Sequence, residues 1–393
     1  MLLMTHHYVL ARRLIIGVSI ICALLLILVN TVVFAQTATP NWVRSIDWSP
    51  YEDKVAFATQ HGQVEIIEAT SGRSILSLTP SITQTFYSLG WSPDGSKIAA
   101  GGSGHRVDVW DTSDGRLIYT IELSGEARSL AWSPDNQWLA VAGQEGVPDN
   151  VVVWDVLNQQ IAFAPIIGEA LAVAWSPNSA TLAITKLGEI QLWDIATQTF
   201  IKSIETKEYV LSLDWNHDGT LIAGASIYVP DQPSVRIWDV STGSLLHTFV
   251  GQQGSITYVA WDSQSNRLIS ASTDKSVRIW DVATGQVLES YTINDRAFAA
   301  VFSPHGGRVA ISDDVASTDQ PTVDIVVPDP SLDRLNSIAQ GCISAVAQRK
   351  MTFASDEAQL SDFAAQIESL SNEQLPPACK ADLLAIIETI EAQ

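Results

Sequence analysis

Along most of this chain, short apolar runs alternate with clusters of Pro, Asp, Gly, Asn and Ser, and the alternation keeps a fixed period. Val277-Arg278-Ile279-Trp280-Asp281 shows the unit: apolar and polar positions alternate, as in a half-buried strand, and a turn through Thr284-Gly285 follows. The phrase recurs at 107–111, 151–155, 190–194 and 235–239, so that Trp110, Trp154, Trp193, Trp238 and Trp280 lie 44, 39, 45 and 42 residues apart. A second aromatic stands upstream in each unit. Trp48, Trp91, Trp132, Trp175, Trp215, Trp261 and Phe302 recur at intervals of 43, 41, 43, 40, 46 and 41. A short apolar strand precedes each one, and a turn such as Ser92-Pro93-Asp94-Gly95 follows, built from residues that preset or tolerate tight-turn dihedrals. Then come a second strand, the Trp-Asp strand, a Thr/Ser-x-Gly turn and a fourth strand such as Leu245–Phe249. Seven units of four short strands predict an all-β protein. One such sheet cannot bury its faces alone, so units must pack against units.

Five Trp-Asp phrases and seven upstream aromatic turns in common phase make residues 42–327 resemble the WD-repeat (WD40) β-propeller family. The resemblance implies seven four-stranded antiparallel blades around a central axis. An aromatic at one place in every repeat is then expected to fill the space between sheets, and the Asp after Trp to accept local turn hydrogen bonds. Departures are visible. The first repeat ends Ile67-Glu68, the seventh Val326-Val327, and Gly251-Gln252 is the nearest equivalent of the family's Gly-His pair. The usual Asp-His-Ser-Trp network is therefore expected to fail even where Ser272, Asp274 and Trp280 remain, leaving rigidity to packing. Ring closure has two candidates: residues 36–41, or a strand from the C-terminal side near Leu332–Leu335.

Repeats three, five and seven are longer between second and third strands, with inserts at 146–150, 228–233 and 317–321. Surface loops carry function but also tolerate insertion at little cost, so length drift weighs equally against a binding role. The functional expectation is a partner-binding rim formed by Asp149, Tyr228, Asp231 and Asp319. After Pro330 the periodicity turns helical, through Leu360, Phe363, Ile367 and Leu370 and again through Leu383, Leu384, Ile386, Ile387 and Ile390. A small helical extension over 331–393 is expected, with Cys342 and Cys379 joined as a disulfide if the compartment is oxidising.

The compartment follows from the first 35 residues. Arg12-Arg13 precede an apolar run from Leu14 to Phe34, and Val33-Phe34-Ala35 has the small-residue spacing of a signal-peptidase site. The run is also long enough to span a bilayer, so residues 1–35 are a signal peptide or a retained anchor, with the propeller occupying 36–330. Either way the basic end stays inside and the rest lies outside the cytoplasm. Membrane contact is expected only through that segment if it is uncleaved.

Net charge is −21, from 22 basic and 43 acidic residues. Such a body repels phosphate backbones, which argues against nucleic acid as a partner. No phosphate loop, zinc-protease helix, EF-hand or nucleophile elbow is present, and no cofactor is implied. The histidines outside the leader, His61, His105, His217, His247 and His305, are scattered over five repeats. The resemblance implies a monomeric scaffold for protein–protein interaction, without chemistry of its own. The alternatives are a hydrolase- or lactonase-like site at the central channel, or a structural role in the envelope.

Overall fold

The structure is a computed structural model that describes residues 41–143, 151–165, 167–227, 233–313, 322–328, 338, 360–371 and 375–391. Residues 41–393 form one compact unit. Seven antiparallel sheets follow one another along the chain. Six have four strands in meander order, and the seventh has three among the described residues. Their first strands are Val43–Trp48, Phe86–Trp91, Ala127–Trp132, Val173–Trp175, Val210–Trp215, Ile256–Trp261 and Ala300–Phe302. First strands of successive blades contact one another, and that of blade 1 contacts blade 7, so the blades close into a ring. This is a seven-bladed β-propeller.

The upstream aromatics are buried between blades, from Trp48 at 4% exposure to Phe302 at 9%. They are more than filler. Trp132 Nε1 donates to the Gly90 carbonyl of the preceding blade at 3.0 Å, Trp175 to Ala131 at 2.9 Å, Trp215 to Ala174 at 3.1 Å and Trp261 to Asp214 at 3.2 Å. Each of these four indoles stitches its blade to the one before, while the Trp91 indole N–H makes no such bond. Trp48 makes the same bond to Val301 at 3.1 Å, which joins blade 1 to blade 7. The second set of indoles sits inside the blade faces. Trp110, Trp238 and Trp280 are fully buried, while Trp154 and Trp193 are half-buried.

Each aspartate after those indoles caps its turn, as the sequence suggests. Asp111, Asp155, Asp194, Asp239 and Asp281 accept backbone amides from Ser113, Asn158, Thr197, Thr242 and Thr284. These bonds favour the ionised form; the Ser241 hydroxyl and the Thr242 amide and hydroxyl hold Asp239 down to about 2.

One expectation is refined: the usual network is absent, and a variant of it takes its place. A buried polar network does form in blade 6, with Gln252 in the place of the missing histidine. Trp280 Nε1 donates to Ser270 Oγ (2.8 Å), which donates to Gln252 Oε1 (2.8 Å). Gln252 Nε2 reaches Ser276 Oγ (3.1 Å), and Ser276 Oγ bonds Asp274 Oδ1 (2.6 Å). A glutamine side chain offers one acceptor and one donor across its amide, as a neutral imidazole does across its ring. The serine involved is Ser270 on the second strand, where the sequence pointed to Ser272.

Ring closure rests on side-to-side packing. Val43, Ile46, Trp48, Val55 and Phe57 of blade 1 share a core with Ala299, Val301 and Ala310 of blade 7. Asn41 and Trp42 bond to the turn at Gln60–Gln63 of blade 1 and do not extend blade 7. Residues 36–40 and 332–335 lie outside the described residues.

The C-terminal segment contributes helices α1 (Leu360–Ser369) and α2 (Pro377–Glu391). Proline suits the first helical position, where its missing N–H costs nothing, and so α2 begins there. Phe363, Ile367, Leu383, Ile386 and Ile387 form a common core, against which Val327 of the last blade packs. A buried polar latch ties α2 to the ring. Arg308 Nε bonds Asp382 Oδ1 at 2.7 Å, Ser303 Oγ bonds Asp382 Oδ2 at 2.6 Å, and Arg308 Nη2 pairs with Asp53 Oδ1 at 2.7 Å. The same guanidinium lies 4.9 Å over the Trp48 ring. One arginine thus joins blade 7, blade 1 and α2. Cys379 is buried in the helical core, and Cys342 lies outside the described residues.

Candidate interaction site at the mouth of the central channel

The four residues expected to form a rim, Asp149, Tyr228, Asp231 and Asp319, all lie outside the described residues. The flanks of their loops are described. Gly143, which leads into the first insert, pairs with Ala127 at the start of its blade's first strand. In blade 1 the corresponding turn bonds back to Trp42, just before the first strand. Loops between second and third strands therefore leave from the end of the ring where the first strands begin.

At that end a cavity of about 360 Å³ opens between the innermost strands of the seven blades. Round it stand the residues four places before each recurring aromatic, Arg44, Tyr87, Arg128, Leu171, Leu211, Thr257 and Phe298, of which all but Arg128 and Leu171 line the cavity itself. Five of the seven first strands have a register shift at this residue. The pairing skips from Val43 to Ser45, from Phe86 to Ser88, from Ala127 to Ser129, from Val210 to Ser212 and from Ile256 to Tyr258. A bulge adds an unpaired residue and re-aims its side chain, which is how sheet regularity yields a mouth of chosen chemistry.

That chemistry is uneven round the ring. Arg44 lies 4.3 Å over Phe298 and 5.7 Å from Tyr87; Arg128 lies 4.6 Å over the other neighbour, Tyr87. Trp42 meets Phe298 at 5.6 Å, and Arg296 sits 5.7 Å over Trp42. Guanidinium and ring alternate in an arc over blades 7, 1, 2 and 3. Leu171, Leu211 and Thr257 make the rest of the mouth neutral. Burial lowers the pKa of Arg44; Tyr87 opposes this, and Arg128 and Arg296 act with it as like charges.

Deeper in the channel arginine gives way to carboxyl groups. Asp47 and Asp214 occupy the position just before the aromatic in blades 1 and 5. Burial pushes both carboxyls up to about 7, against the bonds each accepts from two backbone amides. One of those amides belongs to the next blade: Trp91 N for Asp47 and Trp261 N for Asp214, both at 2.8 Å. The same carboxyls raise the pKa of Tyr258 beyond what its burial does alone. Their hydrogen bonds make these aspartates blade-to-blade ties. No group of three His, Cys, Asp or Glu side chains suited to a metal ion occurs among the described residues. None of the described helices is long and apolar enough to cross a membrane.

The mouth residues escaped the sequence reading because no motif marks them. They become visible when the seven repeats are stacked in columns and the fourth place before the aromatic is compared.

Blades, channel and repeat phrases together define a WD40-repeat propeller. Residues 115–155, 198–239 and 243–281 match the family described as WD domain, G-beta repeat, and residues 46–127 match that described as Anaphase-promoting complex subunit 4 WD40 domain. The segment 243–281 spans the fourth strand of blade 5 and three strands of blade 6, so the sequence repeat straddles two blades. Among curated proteins the chain is similar to the F-box-like/WD repeat-containing proteins TBL1X of Mus musculus and TBL1Y of Homo sapiens. Each is 36% identical over 72 residues, which is 18% of this chain and 13% of the relative. The chain thus matches about an eighth of the length of those relatives.

Proposed function

We propose that this protein is an exported scaffold, whose propeller presents the channel mouth and the three long loops to an extracytoplasmic protein partner, without turnover. The observation that carries the reading is the arginine–aromatic arc, which sits at the end of the ring where the long loops leave. Aromatic rings and arginines are what protein-binding surfaces are rich in. The leader supports export, either by cleavage after Ala35 or by retention as an anchor. An oxidising compartment would pair Cys342 with Cys379, a link worth about 3–4 kcal/mol in chain-entropy terms. Asp149, Tyr228, Asp231 and Asp319 belong to the loops that would flank the docked partner.

The test joins location to binding. A topology reporter fused after the propeller is read in living cells, and the full chain is then cross-linked in the intact envelope and isolated. Reporter activity outside the cytoplasm together with one discrete cross-linked partner is expected. Activity confined to the cytoplasm, or isolation of the chain alone, contradicts the proposal.

A further inference from the structure

Resting on the scaffold reading, we propose that the arc of Arg44, Arg128 and Arg296 is a receptor for the carboxylates of an acidic peptide segment. The chain has 22 basic and 43 acidic residues, so three arginines gathered at one mouth are not background. Among the described residues no carboxylate pairs with Arg44 or Arg296, while Arg128 meets Glu126 at 2.7 Å. Arg44 is half-buried and feels both other arginines as repulsive. Gathering like charges against one another costs free energy that an anionic ligand would return.

The aromatic rings decide what remains available. A guanidinium stacked on a ring uses its face, while its N–H groups point outward in the plane of the group. Tyr87, Phe298 and Trp42 hold the faces. The edges of Arg44 and Arg296 can then take carboxylates, with the fork geometry that suits arginine to them, while Arg128, already paired with Glu126, adds its charge to the arc. Charges on three blades, in an arc that spans four, call for several carboxylates along an extended segment and not for one compact anion. Leu171 and Leu211 opposite the arc would meet apolar side chains of the same segment. The arginines stand at the mouth and none lines the channel below them, so the segment lies across the mouth and does not thread it.

The test is anisotropy of a labelled peptide of alternating Glu/Asp and apolar residues, titrated with the full chain and compared with its Gln/Asn counterpart. The acidic peptide is expected to bind, and the neutral one to bind far less. Arg44→Gln and Arg296→Gln are each expected to weaken binding about tenfold or more, the scale of one hydrogen bond to a charged group. Arg116→Gln, at the opposite end of the ring beside Asp114, is expected to leave affinity unchanged. Near-ultraviolet circular dichroism checks that each variant remains folded. Equal binding of the neutral peptide, or an affinity indifferent to Arg44→Gln and Arg296→Gln, overturns the proposal. So does displacement of the peptide by inorganic phosphate at ionic strengths where chloride has no effect, which would assign the arc to phosphate. A partner cross-linked in the envelope alongside failure of the acidic peptide would sink this inference and leave the scaffold reading standing.

Discussion

Replacing Asp382 by alanine tests whether the C-terminal helices are built into the ring. Asp382 is 0% exposed and Arg308 2%, and 74 residues separate them along the chain. Burial raises the Asp382 carboxyl, and the neighbouring Arg308 and Ser303 only partly offset it. The pair therefore gives little net stability compared with an apolar replacement, but breaking it is another matter. Asp382→Ala leaves a buried guanidinium without its main partner, a loss of roughly 3–5 kcal/mol in such pairs. Asp53 still holds Nη2 at 2.7 Å, which places the expected loss near the lower end, about 3 kcal/mol. Urea unfolding followed by tryptophan fluorescence measures it, and limited proteolysis should cut before α2 sooner in the variant. The double variant Arg308→Met, Asp382→Leu removes both charges at similar volume and is expected to recover most of the loss. A loss under about 1 kcal/mol, or a double variant no better than the single one, would refute the argument.

Three further outcomes follow from the same geometry. Asp47→Asn and Asp214→Asn keep an acceptor for the next blade's amide but cannot ionise. With folded values near 7 and an ordinary value near 3.8, protonation stabilises the fold below the ordinary value, and that contribution is lost as pH rises through 7. Relative to wild type, each variant should therefore gain stability between pH 4 and 8, by at most about 4 kcal/mol, in urea titrations at several pH values; a difference independent of pH contradicts the assignment. Gln252→Ala removes the acceptor of the buried Ser270 hydroxyl and should cost about 1–3 kcal/mol by the same unfolding assay, whereas Gln253→Ala on the exposed neighbour should cost less than about 0.5 kcal/mol. Mass spectrometry of the exported chain under non-reducing conditions should show Cys342 joined to Cys379; two free thiols would remove the disulfide.

The propeller was legible because its signal is repeated. Seven aromatics in phase identify wedges that any one of them alone would not, and the turn aspartates follow from local chemistry. What the sequence hid was either long-range or defined by comparison between repeats. The pairing of Arg308 with Asp382 links a blade turn to a helix with no periodic cue. Gln252 replaces a histidine by satisfying the same donor and acceptor demand, which a search for the histidine itself misses. The Arg44 arc depends on bulges that turn one residue per strand toward the axis, and bulges leave no mark in hydropathy. The acidic loops drew attention through their length, yet the charge that distinguishes the mouth has the opposite sign.

The central claim is that a protein partner docks on the end of the ring bearing the arginine arc. Site-specific photo-cross-linking in the intact envelope tests it most directly. A photoreactive residue is placed at Leu171 in the mouth and, in a separate protein, at Ser113 in a turn at the opposite end. A discrete adduct from position 171 and none from 113 is the expected result. Equal adducts from both positions, or an adduct from 113 alone, would contradict the account.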